Sequence, residues 1–320
     1  MTLFELELPK AHEVAYLNMV KEKLIDRIDK GVKNGYINQN VHDVLIPKDN
    51  KNKPDYSIID GLLINEPEKL FELNERLVNK ISIVKKFDDI KENLLKVFDY
   101  DGVFNTPSKF KAYKLSSMIG ANTCCYCNRQ YTFTIVKDGR GNSANRISRP
   151  AFDHWFPKSE YPMLSLSLYN LIPSCTICNS SAKGQQSVNL EEYIHPYVHL
   201  PKHPSIKFVA EISTEPDRKW TIKIDRAKGS KEDKTISLFC LDAIYKEHDK
   251  LELKDMMDFI DNYPNGYLKD LIPFIQSKST SGTITRKDVY RMLFGIEYDD
   301  DKHLNRPFGK LKNDILKKYL

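Results

Sequence analysis

Cys124-Cys125-Tyr126-Cys127, answered after residues 128–174 by Cys175-Thr176-Ile177-Cys178-Asn179, is the pair of stretches that decides how this chain folds. Each holds two cysteines with two residues between them, the spacing at which one turn of backbone offers two thiolates to one ion. Four such sulfurs satisfy a tetrahedral d10 zinc ion with no further ligand. Knuckle spacing selects Cys124 over its neighbour Cys125. The segment between the clips is longer than in a small zinc ribbon, so it must be a folded unit pinned at both ends. Four unrelated buried thiols are the alternative. Cys240, in Leu238-Phe-Cys-Leu241, reads as a small core residue on a helical stripe.

The remaining composition fits such a unit inside an ordinary globular protein. A chain of 320 residues, 41% apolar and 29% charged, can bury a core without staples. The six cysteines then read as thiols of a reducing compartment, available to metal rather than committed to disulfides. Acidic residues follow the first Met at once, and no run of eighteen uncharged apolar residues occurs, so the expectation is a soluble, cytoplasmic protein with no membrane partner. The net charge of +5 leans mildly toward polyanions, and by itself reads first as a solvated lysine-rich surface.

Outward from the clips, periodicity predicts three regions. Residues 1–120 read as helical: Val14, Leu17, Val20, Leu24 and Ile28 recur at three and four residues, as do Leu70, Leu73, Leu77, Ile81 and Val84. Asn65 with Glu68 predicts a capped start for the second stripe, residues 46–60 a loop, and Thr106-Pro107 a further helix ending before Gly120. Residues 121–205 carry the clips. In residues 206–320, Lys207–Ile212 and Lys219–Ile224 predict a hairpin, Thr235 to about Gln276 returns to helix, and Thr285 to Asp288 marks another capped start. The fold class expected is α+β and mostly helical.

A closed four-cysteine site has no open coordination position, so chemistry must lie in what it holds in place. Asp153 and His154 are adjacent, after Arg149-Pro-Ala-Phe152, which reads as a strand broken by Trp155-Phe-Pro157. Asn179 directly follows Cys178, and Ser180 to Lys183 can begin a helix. A carboxylate and an amide oxygen make a two-ligand site that leaves water positions open and suits Mg2+ or Mn2+. His154 beside it is placed to take a proton from an attacking water.

In this order, Cys-x-x-Cys, Asp153-His154, Asn170 and Cys-x-x-Cys-Asn179 resemble the HNH endonucleases, in an H-N-N variant with a four-cysteine zinc site. The resemblance covers residues 124–184 and implies a ββα-metal core. In it His154 is the general base, Asp153 and Asn179 bind a catalytic Mg2+ or Mn2+, and Asn170 holds the loop that orients the base. The implied reaction is phosphodiester hydrolysis in a nucleic acid, with DNA the expected substrate. Lys183, and also Lys158, would meet a neighbouring phosphate, and His195 lies near enough in sequence to join the site. A looser likeness, in Asp153–Pro162, Asn170–Cys175 and Cys178–Gly184, is to the HNH subunits of Septu-type and retron-linked bacterial anti-phage systems. It implies an ABC-type ATPase as a separate partner subunit, since no Walker-type loop occurs in this chain. Two other functions fit the same clips: a non-catalytic zinc module that binds nucleic acid or protein, and a scaffold whose helical residues 1–105 dock a partner. The run Asn305 to Tyr319 is basic with interspersed aromatics, as a nucleic-acid surface or the solvated face of a last helix would be.

Overall fold

The computed structural model describes residues 5–104, 111–137, 145–184, 186–198, 206–216, 219–263, 267–278 and 284–319. The chain is mostly helical, with small antiparallel sheets. The helix start expected at Thr106-Pro107 lies outside the described residues. A helix is present over Lys111–Ile119, and it stops where Gly120 takes a φ of 69°.

Among the described residues, seven helices form the N-terminal part: α1 Lys10–Lys33, α2 Gln39–Leu45, α3 Ser57–Ile64, α4 Pro67–Val84, α5 Phe87–Val97, α6 Tyr100–Phe104 and α7 Lys111–Ile119. The first stripe buries Val20, Leu24 and Ile28, yet Val14 is solvent-exposed and Tyr16 takes the inward place. The cap reading at Asn65 is corrected. Pro67 occupies the first helical position, which makes Glu66 the residue before α4, and Asn65 closes α3 instead. The loop expected at 46–60 gives way to α3 from Ser57. Arg27 fastens α1 to α5 by donating from Nε to the Val97 carbonyl at 2.8 Å.

The described strands pair into three two-stranded antiparallel sheets. β1 Ile135–Lys137 pairs with β2 Asn145–Ser148, β3 Ala151–His154 with β4 Leu171–Ser174, and β5 Lys207–Ile212 with β6 Trp220–Asp225. The turn expected at 138–142 lies outside the described residues. β5 and β6 place Phe208, Ala210, Ile222 and Ile224 on one buried face, as their alternation predicts. Beyond them lie α8 Lys231–Leu238, α9 Leu241–Lys246, α10 Lys254–Asn262, α11 Tyr267–Lys278, α12 Arg286–Phe294 and α13 Gly309–Tyr319. The capping box at Thr285 and Asp288 is present. Cys240 is not in the core: it is exposed, with a φ of 52°, at the break between α8 and α9. One apolar core runs from Leu6 to Leu316 through all three regions of the chain.

Candidate functional site

The sulfurs of Cys124, Cys127, Cys175 and Cys178 lie within 4.8 Å of one another, all four side chains buried. Cys127 and Cys175 are 4.0 Å apart. Four thiolates around one zinc at about 2.3 Å stand slightly under 4 Å from each other, so the cluster needs little contraction to close on an ion. Burial pushes the Cys124 thiol well up. A cation among the four sulfurs removes that cost by stabilising thiolates. These four residues can hold a metal such as zinc, and Cys125, buried beside them, is outside the set.

The first clip is also tied to the far end of the described chain. Asn128, at a φ of 46°, donates from Nδ2 to Thr123 Oγ1 and to the carbonyls of His303 and Arg306, and its own Oδ1 accepts from the Lys310 amide. Its carbonyl accepts from the Phe308 amide at 2.6 Å.

Between the two cysteines of that clip sits Tyr126, whose hydroxyl donates to Asp153 Oδ2 at 2.6 Å. Lys183 Nζ reaches Asp153 Oδ1 at 3.1 Å and the His154 carbonyl at 2.8 Å. Carboxylate and ammonium are both removed from solvent, at 3% and 1% exposure. Burial pushes the Asp153 carboxyl up, opposed by the Lys183 charge and the hydrogen bond from Tyr126. Sequence reading placed Lys183 against a substrate phosphate; the structure instead aims its ammonium inward at Asp153.

His154 closes β3, facing Leu171 of β4. Its Nε2 is 3.0 Å from the Ser165 carbonyl, which can only accept, so Nε2 carries the proton and Nδ1 the lone pair. Burial brings the imidazole down to about 4, and the ring is neutral at pH 7. Tyr100 of α6 packs edge-on against it at 4.9 Å. Asn170 is buried at the end of the loop joining the strands. Its Oδ1 accepts from the Phe156 amide at 2.7 Å, while Nδ2 donates to the carbonyls of Leu164 and Phe156 at 2.9 and 3.1 Å. That loop also supplies Ser165, so the side chain of Asn170 shapes the segment that fixes His154.

A helical run of the π type, Ile177–Lys183, comes after β4. It begins before Cys178 and ends at Lys183, whereas the sequence reading started it near Ser180. Asn179 is thereby brought to a pocket of about 350 Å³ that Asp153 and His154 also line. Lys158 stands at its rim, 3.7 Å from Asp101. Both Asp153 oxygens already accept one hydrogen bond, but a carboxylate offers about four lone-pair positions.

His195 is not part of this pocket. It is buried against the Trp155 ring, at 4.5 Å, and its Nδ1 accepts from the Tyr197 amide. Burial lowers its imidazole to about 3, that of a core histidine. Sequence reading missed Tyr126, Tyr100 and Ser165. Only Tyr126 had a signal, a phenol inside a knuckle that needs a buried partner for its hydroxyl.

Among the described residues no helix is long and apolar enough to cross a membrane. No family model matches the chain, and no solved structure matches it. Over 48 residues it is 42% identical to Protein ea31 of Escherichia phage lambda, a stretch that spans 14% of this chain and 16% of that protein.

Proposed function

We propose that the chain is a metal-dependent endonuclease of the HNH kind, hydrolysing phosphodiester bonds in nucleic acid, with zinc in the four-cysteine cluster and Mg2+ or Mn2+ at Asp153 and Asn179. The observation that carries it is the meeting of Asp153, His154 and Asn179 in one pocket on a two-stranded hairpin followed by a short helix. A divalent ion in such a site offsets the charge that develops on phosphate and leaving oxygens. The chain's own part is distinct. The Ser165 carbonyl fixes the tautomer of His154, whose unprotonated nitrogen accepts the proton of the attacking water. Lys183 and Tyr126 hold the Asp153 carboxylate in place, and Asn170 keeps the intervening loop in shape. Lys158, at the rim, is the nearer cation for a phosphate. DNA as the substrate, service as the effector of an anti-phage system and an ABC-type ATPase partner rest on the sequence resemblance.

Cleavage of supercoiled plasmid in Mg2+ or Mn2+ tests the reading, beside EDTA and His154→Ala. Metal-dependent nicking that falls roughly a hundredfold or more in the variant is the expected result. Nicking unchanged by His154→Ala would overturn it. The buried ion pair of Lys183 with Asp153 favours a second reading, a zinc-stabilised binding module in which Asp153 is purely architectural. On that reading no metal-dependent cleavage occurs with or without a partner.

A further inference from the structure

The extended stretch leading into β1 is built inside out. Along residues 131–135 the polar Thr132 and Thr134 turn inward, Thr132 buried and Thr134 Oγ1 2.5 Å from Ser116 Oγ of α7. Tyr131, Phe133 and Ile135 turn outward, at 50%, 42% and 42% exposure. A strand normally hides its large apolar side chains and shows its threonines, so the reversal marks a face made to be covered. Tyr131 and Phe133 stack on each other, centroids 4.5 Å apart and planes 19° from parallel.

What covers the face is indicated by charge and by position. The described residues 129–137 and 145–150 contain Arg129, Lys137, Arg146 and Arg149 and no acidic residue. Arg149 lies over the rings of Tyr113 and Phe152, at 6.0 and 5.7 Å, and Phe152 lines the pocket that holds His154. Arg149 follows Ser148, the residue that pairs with Ile135, so the guanidinium stands between this strand pair and a ring of the pocket. Exposed rings flanked by cations bind unpaired bases by stacking and the backbone by charge, whereas a duplex hides its base faces.

We infer that the face of Tyr131 and Phe133 binds single-stranded nucleic acid, stacking its bases and passing its backbone over Arg149 toward the pocket. The inference rests on the reading of that pocket as one that takes a phosphodiester, and it names the strand state of the substrate.

The test is fluorescence anisotropy of the full-length protein in buffer without added Mg2+, Mn2+ or chelator, with a labelled oligothymidine strand and a labelled duplex of equal length. The strand should bind at least tenfold more tightly than the duplex. Tyr131→Ala and Phe133→Ala should each weaken strand binding roughly tenfold, with zinc content and melting temperature unchanged because both rings face solvent. Tyr131→Phe, which keeps the ring, should bind as the parent does. Equal affinity for strand and duplex, or alanine variants that bind as the parent does, overturns the inference. So does an alanine variant that converts a dimer to a monomer in light scattering with strand affinity intact, since the face would then be covered by a second copy. Plasmid nicking is scored separately. Ring-dependent strand binding without metal-dependent cleavage would remove the nuclease reading and leave the binding face, and cleavage with ring-independent binding would do the reverse.

Discussion

Asp153 is the residue on which the site turns, because it is charged, buried and held from two directions. Taking a carboxylate out of water costs several kcal/mol unless a partner compensates it, and Lys183 and Tyr126 supply that compensation. Lys183→Met should therefore cost about 3–5 kcal/mol in urea denaturation. In the double variant with Asp153→Asn, much of that loss should return; a double variant no more stable than Lys183→Met would show that the pair does not interact as described. Asp153, His154 and Asn179 were legible in sequence because they sit at fixed offsets from cysteines or from each other. Tyr126 and Lys183 were not legible as partners of Asp153, since nothing local links them to a carboxylate 27 and 30 residues away. Cys240 misled because a helical stripe continues on paper across a backbone break that only its left-handed φ reveals.

At the scale of the element, the hairpin of β3 and β4 is four residues long on each side, too short to be stable alone. Its loop gains definition from Asn170 inside and from helices outside: Tyr16 Oη donates to the Leu166 carbonyl at 2.6 Å, and Ser167 Oγ to the Leu62 carbonyl at 2.5 Å. Asn170→Ala takes the side-chain partner from the Phe156 amide and carbonyl and one of two donors from the Leu164 carbonyl, which keeps the Ser167 amide. It should destabilise the protein by roughly 1–3 kcal/mol. If the loop fixes His154 through Ser165, metal-dependent nicking should fall further than that loss of stability explains; nicking that falls only in step with unfolding would make Asn170 architectural alone. Periodicity found the long helices and the β5–β6 hairpin because each buries one clean face. It missed α3, a short and almost wholly apolar helix for which no polar face marks the period. The short helix after β4 was placed late because a cysteine ligand lies inside it, where the knuckle spacing rather than the period sets the sequence.

At the scale of the whole molecule, the cluster of four cysteines joins β4, the candidate helix and the knuckle, and the knuckle in turn holds residues 303–310 through Asn128. Structural zinc contributes binding energy to folding, on the order of 10 kcal/mol in small domains. Cys175→Ser, or chelation of the metal, should thus collapse more than the hairpin: far-UV and near-UV circular dichroism should report loss of structure, and zinc should leave at one equivalent per chain. A variant that is zinc-free, folded and active would remove the cluster from the account. The same connectivity changes the meaning of a deletion. Removing residues 1–105 strips Tyr16 and Leu62 from the loop, so failure of such a fragment would report on the hairpin as much as on docking. The bonds of Asn128 to residues 303–310 have a consequence during synthesis. The knuckle is made some 175 residues before the segment that caps it, so during synthesis Asn128 waits for these partners until residues 303–310 have emerged. A chain cut short before residue 303 carries every residue that lines the pocket yet lacks the segment that fastens the knuckle.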